Sequence, residues 1–233
     1  MREPLNISED RLRACLQDQY GLSVISIEFL PLGLDTRAGV YRVASAQDTT
    51  YFLKVKSGSL YEPSCLVPRY LQDQGIVAVA APLPTKEHTL WTVMGEWTLI
   101  LYPYIEGETG WNPGMTDEQW QAVGLALRQI HQIGLPAEGF ASLRKGTFDV
   151  TEYSQQILEL ETHVTGSQGG SQIEREFRSG WIIHQDTIHT TMALMEKLAV
   201  ALQQRSGSYV ICHADLHPSN IIRDQAGHVF VID

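Results

Sequence analysis

Hydrophobic positions in the first hundred residues recur with two different periods. Leu12, Cys15, Leu16 and Tyr20 repeat at helical spacing, with Ser8 placed to cap the segment and Gly21 to end it, so an opening helix is predicted. Ile25, Ile27 and Phe29 alternate with polar residues as a strand does, and turn residues at 31–36 separate them from a second run at 40–43. Asp48 and its neighbours turn the chain into a third run at 51–56. A short helix containing Arg69, Tyr70 and Leu71 is expected next, then runs at 89–94 and 97–102 on either side of Gly95 and Glu96. The pattern predicts an antiparallel sheet with one inserted helix up to about Tyr102.

Beyond that point the period changes. Thr116 to Gln119 has the form of a capping box, and Trp120, Val123, Leu127 and Ile130 follow at helical spacing. Two further helices are predicted around 152–164 and 173–204, joined by the polar, glycine-rich stretch 166–171. Between sheet and helices, Tyr102 to Gly107 reads as a hinge, because Pro103 lacks a backbone donor and Gly107 permits a bend. The expected organisation is an α+β chain with a sheet lobe at 1–102, a hinge at 103–107 and a helical lobe at 108–233.

Composition narrows the class. In 233 residues, 43% hydrophobic and 19% charged are the proportions of a folded chain. The net charge of −10 repels nucleic acid and anionic lipid and favours a cationic small molecule as partner. Cys15, Cys65 and Cys212 are widely spaced and form no C-x-x-C pair. The first residues hold charges rather than an apolar block, and the longest greasy stretch, 76–83, is interrupted by Pro82. A cytoplasmic protein without a membrane partner, and a monomer, is expected.

The chemistry is concentrated near the end of the chain, where His213-Ala214-Asp215-Leu216-His217-Pro218-Ser219-Asn220 precedes an apolar run at 229–232 and Asp233. His213, Asp215 and Asn220 match the kinase catalytic-loop spacing H-x-D-x-x-x-x-N. Phosphoryl transfer to an alcohol needs a carboxylate to position the hydroxyl and take its proton, which suits Asp215, and oxygen ligands for Mg2+, which suits Asn220 and Asp233. It also needs a cation against the nucleotide's charge, and alternation puts Lys54 and Lys56 on one strand face as candidates.

These residues carry a resemblance to the aminoglycoside phosphotransferase and choline kinase superfamily, relatives of protein kinases. The family pattern is close to H-G-D-x-H-x-G-N followed by I-D, here His213 to Asn220 and Ile232-Asp233. Gln19-Tyr20-Gly21, Asp35-Thr36, residues 51–56 and Tyr102-Pro103-Tyr104-Ile105 look most like the spectinomycin phosphotransferases. The resemblance implies a protein-kinase-like two-lobe fold and ATP-dependent phosphorylation of a hydroxyl on an aminocyclitol or aminoglycoside, inactivating an antibiotic. It selects Lys54 over Lys56 for the α/β-phosphates and places adenine against the backbone near Tyr102, Tyr104 and Ile105. His213 is expected to support Asp215 through hydrogen bonds within the loop.

Two departures stand out. Ala214 and Ser219 replace glycines, which strains any position that needs a positive φ. The chain also stops at Asp233, where the family continues with helices that build the acceptor pocket, so the helical lobe is expected to be incomplete and this chain by itself inactive.

Plainer readings stand beside these. A lysine on a strand is ordinarily a solvated edge residue. Glu62 is the expected ion-pair partner of the lysine, with simple solvent exposure as the alternative. Trp111, Trp120 and Tyr104 read as lobe packing, and Glu106 and Glu108 as hydrated acids with a possible role toward a cationic substrate. Choline, homoserine or a sugar are alternative acceptors. From another class, His213, Asp215 and His217 alternate as metal ligands do in a hydrolase, and a non-catalytic kinase-like remnant is the third reading.

Overall fold

Strands β1 (Val24–Leu30), β2 (Ala38–Ser45), β3 (Thr50–Ser57), β4 (Thr92–Met94) and β5 (Trp97–Pro103) pair into one antiparallel sheet ordered β1-β2-β3-β5-β4. The structure is a computed structural model and describes residues 3–33, 35–111, 114–136, 139–166, 169–205 and 207–232. Because side chains alternate across a sheet, Tyr41, Val43, Leu53, Val55, Leu99 and Leu101 share one face, where Leu12 and Leu16 of helix α1 (Glu9–Tyr20) close a core over them. The helix ends as the sequence predicts, with Gly21 at a left-handed φ of 73°. Ser8 occupies the N-cap but makes no side-chain cap bond, and Glu9 and Asp10 supply the negative charge favoured in a first turn.

Helices α2 (Pro63–Asp73) and α3 (Asp117–Gln132) contribute a second core, in which Val67, Leu71, Ile76, Val79 and Ile130 pack with Ile211. The capping box at the start of α3 forms in full: Thr116 accepts from the Gln119 N–H, and the Gln119 side chain accepts from the Thr116 N–H. A third core joins Val123 of α3 to Ile221 and Val229. Those two residues belong to the hairpin of β7 (Ile221–Asp224) and β8 (Val229–Val231).

The hairpin acquires a further strand, β6 (Gly107–Thr109), which pairs antiparallel with β7. Here the structure corrects the sequence reading of Gly107. The residue enters a strand rather than a bend, and a Cβ on it would stand 2.1 Å from the Arg223 carbonyl oxygen. Close approach of two backbones is what excludes a side chain.

Backbone contacts divide the chain into one unit of residues 1–143 with 210–233 and another of 144–209. The segment 103–107 lies inside the first. The second is an antiparallel pair of helices, α4 (Thr151–Gly166) and α5 (Gln172–Gln203). Ser154 donates to Glu196 at 2.8 Å, and Glu161 accepts from His189 (2.9 Å) and Gln185 (2.7 Å). The hydrogen bond from His189 holds the Glu161 carboxyl below its ordinary value of 4.5. Among the described residues no helix is long and apolar enough to cross a membrane.

Two predictions follow from these contacts. Gly107→Ala should destabilise the first unit by about 1–3 kcal/mol, the usual cost of overpacking. Gly124→Ala, in α3 with nothing within 4 Å of its added Cβ, should stabilise it by about 0.5–1 kcal/mol. Urea unfolding of both variants checks the contrast. For Glu161, a folded pKa lowered from 4.5 contributes stability above that value, and this is lost as pH falls through the folded one. Glu161→Gln should therefore flatten the acid-side fall in melting temperature relative to the parent.

Candidate active site

The segment 212–220 is bracketed by Ile211 and Ile221, each buried in a different core, so both ends of the loop are fixed by packing. Within it His213 makes two bonds that define its tautomer. The Asp215 N–H donates to Nδ1 at 3.3 Å, so the ring proton lies on Nε2, which donates to the Ile232 carbonyl at 3.0 Å. Between them Ala214 adopts φ 66°, the left-handed conformation that the family's glycine accommodates without cost. The substitution noted in the sequence is thus a strained one. Ser219, the other replacement, does not take a positive φ.

Asn220 closes the loop. Its Nδ2 donates to the Asp215 carbonyl at 2.9 Å, its backbone N–H to the His217 carbonyl at 2.8 Å, and its own carbonyl accepts from the Ile232 N–H at 3.0 Å. With the amide nitrogen occupied, Oδ1 remains as a hard oxygen acceptor of the kind Mg2+ takes. His217 caps the short 3-10 turn Pro218–Asn220, its Nδ1 accepting from the Ser219 N–H at 3.2 Å. The Asp215 side chain is 79% exposed, with His217 Nε2 3.9 Å from its carboxylate. The backbone at 215 is tied on both sides while the acid itself stays open to a substrate. Asp233 lies outside the described residues.

This arrangement also answers the hydrolase reading. A metal ligand needs a free lone pair, and at His213 one nitrogen carries the proton while the other accepts from Asp215. Among the described residues no group of three or more His, Cys, Asp or Glu is placed to hold a metal ion.

The sheet face opposite the α1 core carries the other expected residues. Its rows run Ala38, Lys56, Thr98, then Val40, Lys54, Ile100, then Arg42, Phe52, Tyr102, across β2, β3 and β5. Lys54 thus stands one row from the Phe52–Tyr102 pair, whose rings meet edge-on at 6.4 Å, and Lys56 stands two rows away. Cys65 of α2 lies beside this face. Burial pushes its thiol pKa up, while hydrogen bonds from Ser64 and Tyr102 and the charges of Lys54 and Lys56 pull it partly back. Glu62 is exposed at the N-cap of α2, and no ion pair between it and Lys54 forms among the described residues.

Beyond β5, the Tyr104 N–H donates to the Thr50 carbonyl at 3.3 Å. The N–H of the half-buried Ile105 has no partner among the described residues. It can serve a ligand. Glu108 does not await a cationic substrate: it pairs with Arg223 at 2.9 Å across β6 and β7. Trp111 is 72% exposed, so the expected packing role fails for it. Sequence reasoning also missed β6, whose three residues are all exposed and show no alternation.

The chain matches the phosphotransferase enzyme family over residues 26–233 and belongs to it. It is accordingly an enzyme of the class that moves a phosphoryl group to a hydroxyl. No curated protein matches the chain. Among solved structures, spectinomycin phosphotransferase in complex with ADP and spectinomycin is 27% identical, with a TM-score of 0.85 over 98% of this chain and 69% of that one. An aminoglycoside phosphotransferase from Alicyclobacillus acidocaldarius shares the fold at 17% identity and a TM-score of 0.64, covering 100% of this chain and 67% of that one. An amicoumacin kinase in complex with AMP-PNP and Ca2+ does so at 16% and 0.60, covering 97% and 64%. The fold is therefore the α+β fold of protein-kinase-like phosphotransferases.

The strain at Ala214 can be tested directly. Ala214→Gly should stabilise the protein by about 1 kcal/mol, the left-handed penalty less the glycine's added chain entropy. Thermal or urea unfolding reads this, and an unchanged or lowered stability would show that the loop carries no strain there.

Proposed function

We propose that this chain is the ATP-dependent phosphotransferase of an aminocyclitol or aminoglycoside hydroxyl, spectinomycin being the leading acceptor. The single observation that carries the reading is the Asp215 carboxylate, exposed on a backbone pinned by His213 and Asn220. The likeness to a spectinomycin phosphotransferase whose solved complex holds ADP and spectinomycin supports both the nucleotide and the acceptor.

Asp215 accepts a hydrogen bond from the acceptor hydroxyl, orients it toward the γ-phosphate and takes its proton as the new P–O bond forms. His213 keeps that carboxylate in place through the Asp215 N–H without itself transferring a proton. Lys54 neutralises the α/β-phosphates, and the row order favours it over Lys56. A base docked near Tyr102, Tyr104 and Ile105 sends its phosphates along β3, where two residues span about 7 Å, and they meet Lys54 first. Ile105 offers its backbone amide to the base, and Glu62 is placed to orient the lysine only if its side chain turns inward. Asn220, with Asp233, would hold Mg2+, which when bound offsets the charge of the transferring phosphoryl group.

The test is transfer of labelled phosphate from ATP to spectinomycin by the natural gene product, with choline, homoserine and simple sugars as competing acceptors. Asp215→Asn should lower turnover about a hundredfold or more while ADP affinity stays near the parent's. Lys54→Ala should weaken ADP binding about tenfold, and Lys56→Ala less. Turnover that survives Asp215→Asn, or transfer to choline in preference to spectinomycin, would overturn the respective part of the reading.

A further inference from the structure

On the sheet face that carries Lys54, one side chain takes a course that neither the alternation nor the catalytic motif announces. Arg42 of β2 stands opposite Glu28 of β1 on one side and Phe52 of β3 on the other. Opposite charges facing each other on adjacent strands ordinarily pair. Instead the Arg42 guanidinium lies 5.0 Å from the centroid of the Tyr104 ring, and it makes no hydrogen bond or ion pair among the described residues. Tyr104 follows β5, two strands away, so the contact between the two side chains spans β3.

The segment it reaches is lightly held. The Tyr104 N–H has one long bond to Thr50, and the next amide, at Ile105, has none among the described residues. A flexible segment there would have to be ordered whenever a base bound to that amide, and this cost is subtracted from affinity. A planar guanidinium on the ring above removes part of it in advance, through a cation–π contact that an ammonium makes less well.

We infer that Arg42, by stacking on Tyr104, is a positioning residue for the nucleotide base: it holds residues 104–105 in the conformation that presents the Ile105 amide. The inference rests on the nucleotide-binding reading above and extends it to a residue outside every catalytic motif. Arg42 thereby acts on the base, whereas Lys54 acts on the phosphates.

Calorimetric titration of the natural gene product with ADP, and separately with tripolyphosphate, tests it. Arg42→Ala and Tyr104→Leu should each weaken ADP binding about fivefold, Arg42→Lys less, and Tyr104→Phe hardly at all. The double variant Arg42→Ala/Tyr104→Leu should bind no more weakly than either single one, because the two residues act as one contact. Tripolyphosphate, which has no base, should bind the parent and Arg42→Ala alike. ADP affinity unchanged in Arg42→Ala, additive losses in the double variant, or an equal loss for tripolyphosphate would each overturn the inference while leaving the nucleotide site standing. A parent that binds no ADP would overturn the nucleotide-binding reading and this inference with it. Should Arg42→Ala fail to fold, Arg42→Lys with Tyr104→Leu supplies the same coupling from variants that keep the long side chain.

Discussion

A single neutral imidazole holds the loop at 212–220 to the end of the hairpin that follows it. His213 accepts from the Asp215 N–H on one nitrogen and donates to the Ile232 carbonyl from the other, so the ring joins the backbone beside it to one 19 residues beyond His213 in sequence. Protonation would turn the accepting nitrogen into a donor facing another N–H, so the clamp holds only with a neutral ring. The left-handed turn at Ala214 lies between the two linked residues, and the clamp is what keeps an alanine in a conformation better suited to glycine. Asn220 ties the same stretch from the other side through the Asp215 carbonyl. Both polar ends of the Asp215 backbone are thereby bound, and the carboxylate is the one polar group of that residue left to solvent.

The sheet serves this loop by register rather than by proximity in sequence. Pairing of β2, β3 and β5 in fixed register puts Arg42, Phe52, Lys54, Lys56 and Tyr102 on one face and the α1 core on the other. A slip of one residue in β3 would exchange Lys54 with buried Leu53 or Val55 and place an ammonium in the core. The requirement to bury Leu53 and Val55 therefore fixes the face on which Lys54 stands.

Much of this was legible in the chain. Alternation located the five strands, the capping box at Thr116 begins a helix where polar residues precede a helical repeat, and the spacing of His213, Asp215 and Asn220 named the loop; the second capping box, at Ser171, emerges only in the structure. Other features left no local signal. Gly107 looked like a bend because glycine admits the backbone angles a bend uses, and its true constraint is the carbonyl of a residue 116 positions later. Glu108 looked like a free acid because Arg223 is equally remote. The stack of Arg42 on Tyr104 spans two strand pairings, each of which must be known before the residues can be seen as neighbours. Local period reports which face a residue is on, and only the pairing reports what shares that face.

The net charge of −10 makes the pairing consequential. An acidic surface draws in a cationic acceptor and opposes a nucleotide, so the anion needs a local field of opposite sign. On the face in question the central strands β2, β3 and β5 supply Arg42, Lys54 and Lys56 and no acid at all. Glu28 faces Arg42 from the edge strand, and no ion pair joins the two among the described residues. Screening confines such contributions to about 10 Å in ordinary salt. Lys54 and Lys56, in adjacent rows of one sheet face, would thus be felt by a phosphate bound there, while acids spread over the rest of the surface are largely screened from it. On the proposed reading, the chain in this way presents one sign of charge to a cationic acceptor and the other to a nucleotide.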